Sequence, residues 1–201
     1  MERPFADAGR HRLVRALGEG DDAPLLVEDR SEAGARRVLR RVSPDAAAAA
    51  LLFRGLRHEG IAELLRLERH ERLGLVSVSA WVEGEDLGAA AARLDSPARL
   101  AVVHDVARAL RHLHELGLTH GDLKPANVVV TPAGRGVLID PAGPDAAVRG
   151  SLPYMAPERI LGGPSTPASD LYALGGLLCF VLTGRPPHEG DDPLALVRAV
   201  L

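Results

Sequence analysis

The sequence predicts an α+β fold in which strands come first and helices follow. Over the first 82 residues, short leucine-rich or β-branched stretches at roughly 12–17, 25–30, 36–42, 61–69 and 73–82 read as strands, with one helix at 44–56. From Ser96 onward, Leu100, Val103, Ala107, Leu110 and Leu113 recur at helical spacing as far as Leu116, and Gly117 ends that helix. A further apolar run, opened by Asp170 and continuing to Leu182, reads as a buried helix, and Pro193 starts another.

Between the helices, Thr119 to Thr131 reads THGDLKPANVVVT and contains Lys124, the only lysine among 24 basic residues. A chain that otherwise writes its positive charge as arginine uses lysine here. By itself HGDLKPAN also reads as a polar surface turn. Downstream, however, come Asp140 at the end of the apolar strand Val137–Ile139, then GSLPYMAPE from Gly150 to Glu158, then Asp170-Leu171-Tyr172-Ala173-Leu174-Gly175, then TGRPPHEG from Thr183 to Gly190. In their order and distances these segments resemble the protein kinases, specifically the eukaryotic-like serine/threonine kinases of bacteria.

The resemblance implies a two-lobed kinase-like fold, with a β-rich lobe over 1–82 and a mainly helical lobe over 83–201, incomplete at its C-terminus. It implies Mg2+ and ATP as cofactors and a protein hydroxyl as acceptor. Phosphoryl transfer needs a carboxylate to receive the hydroxyl proton and groups to hold metal and γ-phosphate. Asp122 takes the first role, Lys124 and Ser151 position the reacting groups, and Asn127 and Asp140 hold the metal. Asp170 ties down the backbone of the catalytic loop. Upstream, Leu17-Gly18-Glu19-Gly20 resembles the start of the glycine-rich loop over the phosphates, although Ala23 stands where a third glycine is usual and the string alone reads equally as a hairpin turn. Leu17 and Leu25 would roof the adenine. The segment Ala80 to Leu87, AWVEGEDL, resembles the hinge, so that backbone groups of Ala80 and Val82 bond the adenine edge, with Ser79 as gatekeeper and Val129 as floor.

Several positions depart from the family pattern. The third strand, Val38-Leu39-Arg40-Arg41-Val42, places Val38 and Arg40 among the nucleotide-binding positions, with Arg40 where the family has lysine. Arginine keeps the charge but differs in length, planarity and hydration. The glutamate that normally holds that lysine is Ala49 here, inside the run Ala46–Ala50, and Asp45 lies one turn earlier on the same face. Gly121 replaces the arginine that often receives an activation-loop phosphate, and residues 141–150 contain no Ser, Thr or Tyr. Order in this loop is therefore expected without phosphorylation of that segment. Glu158 normally pairs with an arginine from a later region, so either the sequence is a fragment or its large lobe has a reduced base.

Composition bounds the setting. With 201 residues and 46% hydrophobic content the chain can bury a core, and with 3% aromatics that core must rest on Leu, Val and Ala. A net charge of −3 with scattered arginines gives no reason to expect nucleic-acid binding. Cys179 is the single cysteine and falls in an apolar run, which reads as an inert core thiol. His104, His112 and His114 read as solvated helix histidines. The start MERPFADAGRHR lacks the apolar stretch of a secretory signal, and the longest apolar run is too short to span a bilayer, so a cytoplasmic location is expected. The arginine- and alanine-heavy usage suggests a GC-rich bacterial gene. Three functions are weighed: weak serine/threonine kinase activity on an unidentified protein substrate, a pseudokinase that binds nucleotide or partners, and a small-molecule phosphotransferase. GSLPYMAPE argues against the third, because the corresponding family segment shapes a groove for protein substrates.

Overall fold

Leucine and valine alternate with arginine and glutamate through the first part of the chain, and the computed structural model, which describes residues 9–142, 152–190 and 192–201, turns that alternation into strands. The strands β1 (His11–Ala16), β2 (Leu25–Asp29), β3 (Ala35–Arg41), β4 (Leu64–His70) and β5 (Gly74–Ala80) form one antiparallel sheet in the order β1-β2-β3-β5-β4. Register brings Leu39 opposite both Leu25 and Val78, so one face collects apolar side chains from three strands. Val27, Leu39, Val76 and Val78 are at most 1% exposed, with Leu13, Leu25, Leu65 and Leu73 packed around them. Burying each such side chain is worth roughly 1.5 to 3 kcal/mol. Helix α1 (Pro44–Leu51) starts at Ser43, whose hydroxyl accepts the Ala46 N–H at 3.2 Å. The alanine run is thus helical, and Ala47 is its buried residue.

Charge is also organised on this sheet. Asp29 is fully buried and accepts from Arg10 Nε at 3.0 Å, Arg66 Nη2 at 2.6 Å and the Ser31 hydroxyl at 2.7 Å. Burial opposes its ionisation, but hydrogen bonds from Arg10, Ser31 and Arg66 outweigh it and hold the carboxyl far below the usual range. Glu32 and Glu68 complete the network by pairing with Arg66 at 2.9 and 2.8 Å.

The chain divides into two compact units, one comprising the sequence up to Arg57 together with Glu63–Trp81, the other comprising His58–Ala62 and Val82–Leu201. The short segment His58–Ala62, read from sequence as part of the small lobe, therefore belongs with the second unit. Its Gly60 carbonyl accepts the Leu138 N–H and its Ala62 N–H donates to the Leu138 carbonyl, both at 2.8 Å.

The second unit contains β6 (Glu85–Asp86), α2 (Leu87–Ala90), α3 (Ser96–Glu115), β7 (Val128–Val130), β8 (Gly136–Leu138), α4 (Pro157–Ile160), α5 (Pro167–Thr183) and α6 (Pro193–Val200). Strands β6, β7 and β8 pair antiparallel in that order. Asp95 caps α3 by accepting the Ala98 N–H at 2.9 Å, and the helix buries Val102, Val103, Val106, Ala109, Leu110 and Leu113 against α5 and β8. Leu100, which fits the same spacing, is exposed. Helix α5 opens with a reciprocal Thr166/Ser169 capping box and ends at Gly184.

Three expectations need correction. The helix α5 is not buried all round: Asp170, Ala173, Leu177 and Val181 face inward, while Leu171 and Leu182 are 56% and 59% exposed. The apolar run is longer than the stripe that α3 covers. Cys179, on the same helix, is half-buried rather than part of the core. Of the three α3 histidines, His104 is exposed, but His112 stacks on His58 at 4.8 Å and His114 bonds to Asp170 at 2.9 Å. Among the described residues no helix is long and apolar enough to cross a membrane.

Candidate active site

The loop that follows α3 is fixed by one carboxylate. Asp170, in the first turn of α5 and 2% exposed, accepts the His120 N–H through Oδ2 at 2.8 Å and the Gly121 N–H through Oδ1 at 3.0 Å. His114 Nε2 reaches the same Oδ2 at 2.9 Å. Three donors thus converge on a buried anion, an arrangement in which each hydrogen bond to charge is worth about 1.5 to 3 kcal/mol. His120 is itself fully buried, and its two ring nitrogens have opposite tasks. Nδ1 accepts the Asp122 N–H at 3.3 Å, so Nε2 carries the proton and donates to the Ile139 carbonyl at 3.0 Å. The Ala142 N–H returns to the His120 carbonyl at 2.7 Å, joining the loop to the chain on either side of Asp140.

On this base, three of the predicted side chains come together. Asp122 Oδ2 lies 2.9 Å from Lys124 Nζ and accepts from Asn127 Nδ2, also at 2.9 Å. Asn127 Nδ2 donates in addition to the Asp122 carbonyl at 2.7 Å, so the amide nitrogen is turned to the loop and the amide oxygen away from it. A single turn of 3-10 helix, Pro125–Asn127, produces this geometry by folding Asn127 back over Asp122. The Ile139 N–H donates to the Asn127 carbonyl at 3.0 Å, which ties the residue preceding Asp140 to the same turn. Asp140 adopts φ 57°, a left-handed conformation that aspartate tolerates better than most residues. Asp122 and Lys124 are 21% and 24% exposed, so both remain within reach of a ligand.

The donor set suits a hard cation. Among the described residues no cluster of three or more His, Cys, Asp or Glu side chains encloses a metal. Asn127 carries an amide oxygen and Asp140 a carboxylate, the oxygen chemistry that magnesium takes when substrate phosphates and water supply the rest of its shell.

The remaining predicted residues are placed as follows. Val82 lies just before Gly84, whose φ of 147° leaves a Cβ only 2.2 Å from the Val130 carbonyl oxygen, so a side chain cannot stand at 84. Val129 is buried in β7 opposite Val137. Within the first unit, Leu17 closes the β1–β2 hairpin through its N–H to the Pro24 carbonyl at 2.8 Å, and Gly18 and Gly20 are exposed on that hairpin. Leu25 packs against the sheet core, Val38 and Arg40 are half-buried in β3, and the Ala80 N–H donates to the Glu63 carbonyl at 2.9 Å. Ala49 is half-buried on α1 and Asp45 is exposed in its first turn. Ser151 lies outside the described residues.

A pocket beside Asp122 is lined by Gly121, Tyr154, Met155, Arg159 and Ala173. Tyr154 is 9% exposed, and burial pushes its phenol up to about 12. Arg159, 6% exposed, donates to the Gly163 carbonyl at 2.7 Å. His120 and Ile139 support the site without a role assigned to them from sequence, and so does His114, which reads from sequence as a solvated helix histidine. Only the adjacency of His120 to Gly121-Asp122 offered a signal.

A catalytic loop held this way by a helix-borne aspartate defines the protein kinase class, and the protein kinase domain model matches residues 49–200. The chain belongs to the bacterial eukaryotic-like serine/threonine protein kinases and carries their two-lobed fold. It is 31% identical to the serine/threonine-protein kinase PksC of Streptomyces coelicolor over 230 residues, covering 95% of this chain and 40% of that protein. It is 28% identical to PknA of Mycobacterium tuberculosis over 216 residues, covering 94% of this chain and 50% of that one. Identity to PknD of the same organism is 38% over 117 residues, 53% of this chain and 18% of the relative. The chain spans half or less of the length of these relatives.

Proposed function

We propose that this chain is a protein serine/threonine kinase that binds Mg-ATP and transfers the γ-phosphate to a protein hydroxyl. The observation that carries the reading is the Asp122–Lys124–Asn127 cluster, joined by contacts of 2.9 Å and built on the Asp170-anchored loop. Asp122 receives the proton as the hydroxyl oxygen attacks phosphorus and the bond to the β–γ bridging oxygen breaks. Lys124 sets a compact cation against the transferring group. It also neutralises Asp122 until the substrate hydroxyl arrives. Asn127 and Asp140 hold Mg2+, which offsets phosphate charge when bound. Ser151 helps to position the acceptor. The pocket beside Asp122 agrees with a protein acceptor, since it is formed in part by the Tyr154–Ala156 segment that follows Ser151.

Transfer is expected to be weak, because Arg40 and Ala49 replace the lysine–glutamate pair of the family. Losing one charge-assisted contact removes about 1.5 to 3 kcal/mol, roughly tenfold to somewhat over a hundredfold in rate. The same two residues favour a second reading, a pseudokinase that binds nucleotide without useful transfer. An assay with γ-labelled ATP and a generic protein acceptor separates them. Label incorporation that disappears in Asp122→Asn supports the kinase, whereas nucleotide binding with no incorporation supports the pseudokinase.

A further inference from the structure

We infer that the His58–Ala62 segment is an acid-released clamp on strand β8. The clamp consists of two linked layers of hydrogen bonds. His58 Nδ1 accepts the Gly60 N–H at 3.1 Å, which requires the lone pair of an unprotonated nitrogen. Gly60 and Ala62 then bond both backbone groups of Leu138, at 2.8 Å each. Leu138 is fully buried and stands two residues before Asp140. The turn that presents Gly60 is close-fitting, since a Cβ added there would lie 3.3 Å from both Ala109 Cβ and His58 Nδ1.

Protonation attacks this arrangement twice. It converts Nδ1 into a donor facing the Gly60 N–H, and it places a cation on the ring that stacks against His112 at 4.8 Å and 19°. The charged groups facing His58 do not rescue it. Arg108 of α3 adds positive charge, and the opposing anion, Glu59, is already engaged by Arg108 at 3.4 Å and by Arg135 of the β7–β8 turn at 3.2 Å. Asp105 is occupied with Arg135 at 2.8 Å. Burial first and His112 second hold His58 below the ordinary imidazole value, with Glu59 opposing and Arg108 adding to the depression. Since the folded value lies below the unfolded one, the clamp's contribution is whole above about pH 6.5 and is lost as the pH falls below it. The inference goes beyond phosphotransfer and does not depend on it.

The test is hydrogen exchange of the full chain between about pH 7.5 and 5, corrected for intrinsic rates, alongside the NMR titration of the His58 ring. Protection of the Gly60, Ala62 and Leu138 amides should fall roughly tenfold for each unit by which His58 titrates below its unfolded value. His58→Asn keeps a side-chain acceptor for the Gly60 N–H but does not titrate, and should abolish the fall. His112→Phe keeps a stacked ring without the second charge and should shrink it; this variant decides the matter alone if His58→Asn does not fold. An equal fall in His58→Asn, or an undiminished fall in His112→Phe, would overturn the inference. So would a His58 titration that leaves the three amides protected.

Discussion

Asp170→Asn should loosen the catalytic loop by an amount that the geometry allows to be worked out. The carboxylate holds three donors: His120 N–H at 2.8 Å and His114 Nε2 at 2.9 Å on Oδ2, and Gly121 N–H at 3.0 Å on Oδ1. Asparagine offers one oxygen. Its less damaging orientation keeps that oxygen beside His120 and His114 and turns the NH2 group toward the Gly121 N–H. One bond to a charged acceptor is lost, about 1.5 to 3 kcal/mol. The two survivors end on a neutral oxygen, where such bonds are roughly half as strong. A total destabilisation of about 3 to 6 kcal/mol follows. For a chain of this size each kcal/mol lowers the melting midpoint by about 2 to 4 °C, so a fall of roughly 6 to 24 °C is expected. Thermal unfolding by circular dichroism measures the midpoint, and exchange of the His120 and Gly121 amides reports whether the loss is local. His114→Phe, which removes a single donor, should lower the midpoint less. A midpoint within about 2 °C of the parent, with both amides still protected, would refute the claim that Asp170 holds the loop.

Asp122→Asn should abolish label transfer while leaving the unfolding midpoint and ATP affinity nearly unchanged, because shape is kept and the proton acceptor is removed; unchanged transfer would end the assignment. Asp140→Asn retains a residue suited to the observed φ of 57° and should remove the magnesium-dependent part of nucleotide affinity, measured by calorimetry with and without Mg2+. Asp29→Ala removes the buried partner of Arg10 and Arg66 and should destabilise the first unit by about 3 to 5 kcal/mol. Since the carboxyl of Asp29 is held below its unfolded value, its contribution is whole above about pH 4 and is lost as the pH falls further, so parent and variant should converge in acid. Arg40→Lys with Ala49→Glu should gain more transfer than the sum of the single changes, with a coupling of about 0.5 to 3 kcal/mol; strict additivity in a parent that is already fast would show that Arg40 needs no partner.

What could be read from sequence was what lies close along the chain. Asp122, Lys124 and Asn127 fall within one short turn, so their mutual geometry follows from Pro125–Asn127 adopting a 3-10 conformation. The strands were legible for the same reason, each being a local alternation whose partner is usually the next strand along. Long-range polar pairs were less so. His114 and Asp170 are 56 residues apart and Asp29 and Arg66 are 37 apart, and no local pattern announces either contact. Hydropathy likewise identified α5 but not its exposure, because an apolar run states which residues avoid water and not whether a covering element is present among its neighbours. His58–Ala62 runs into the strand-like residues from 61 onward and on sequence goes with them in the small lobe, yet hydrogen bonds to Leu138 decide its allegiance.

Gly121 illustrates how a position can look like a loss when it answers a backbone requirement. Compared with the family it lacks a guanidinium, and the absence of Ser, Thr and Tyr from residues 141–150 removes the local phosphate that such a group would receive. The structure adds a separate reason for glycine. Gly121 sits at φ 77° while donating its N–H to Asp170 at 3.0 Å, so the conformation that presents this N–H to the buried carboxylate is one that a side chain would strain by roughly 1 to 2 kcal/mol. An arginine here would carry that strain in exchange for binding a phosphate. Without a phosphorylatable residue in that segment the exchange has no return, and glycine lets Asp170 hold the loop unstrained at this residue. Glycine at 121 therefore suits both the anchor provided by α5 and a segment, residues 141–150, that contains no Ser, Thr or Tyr.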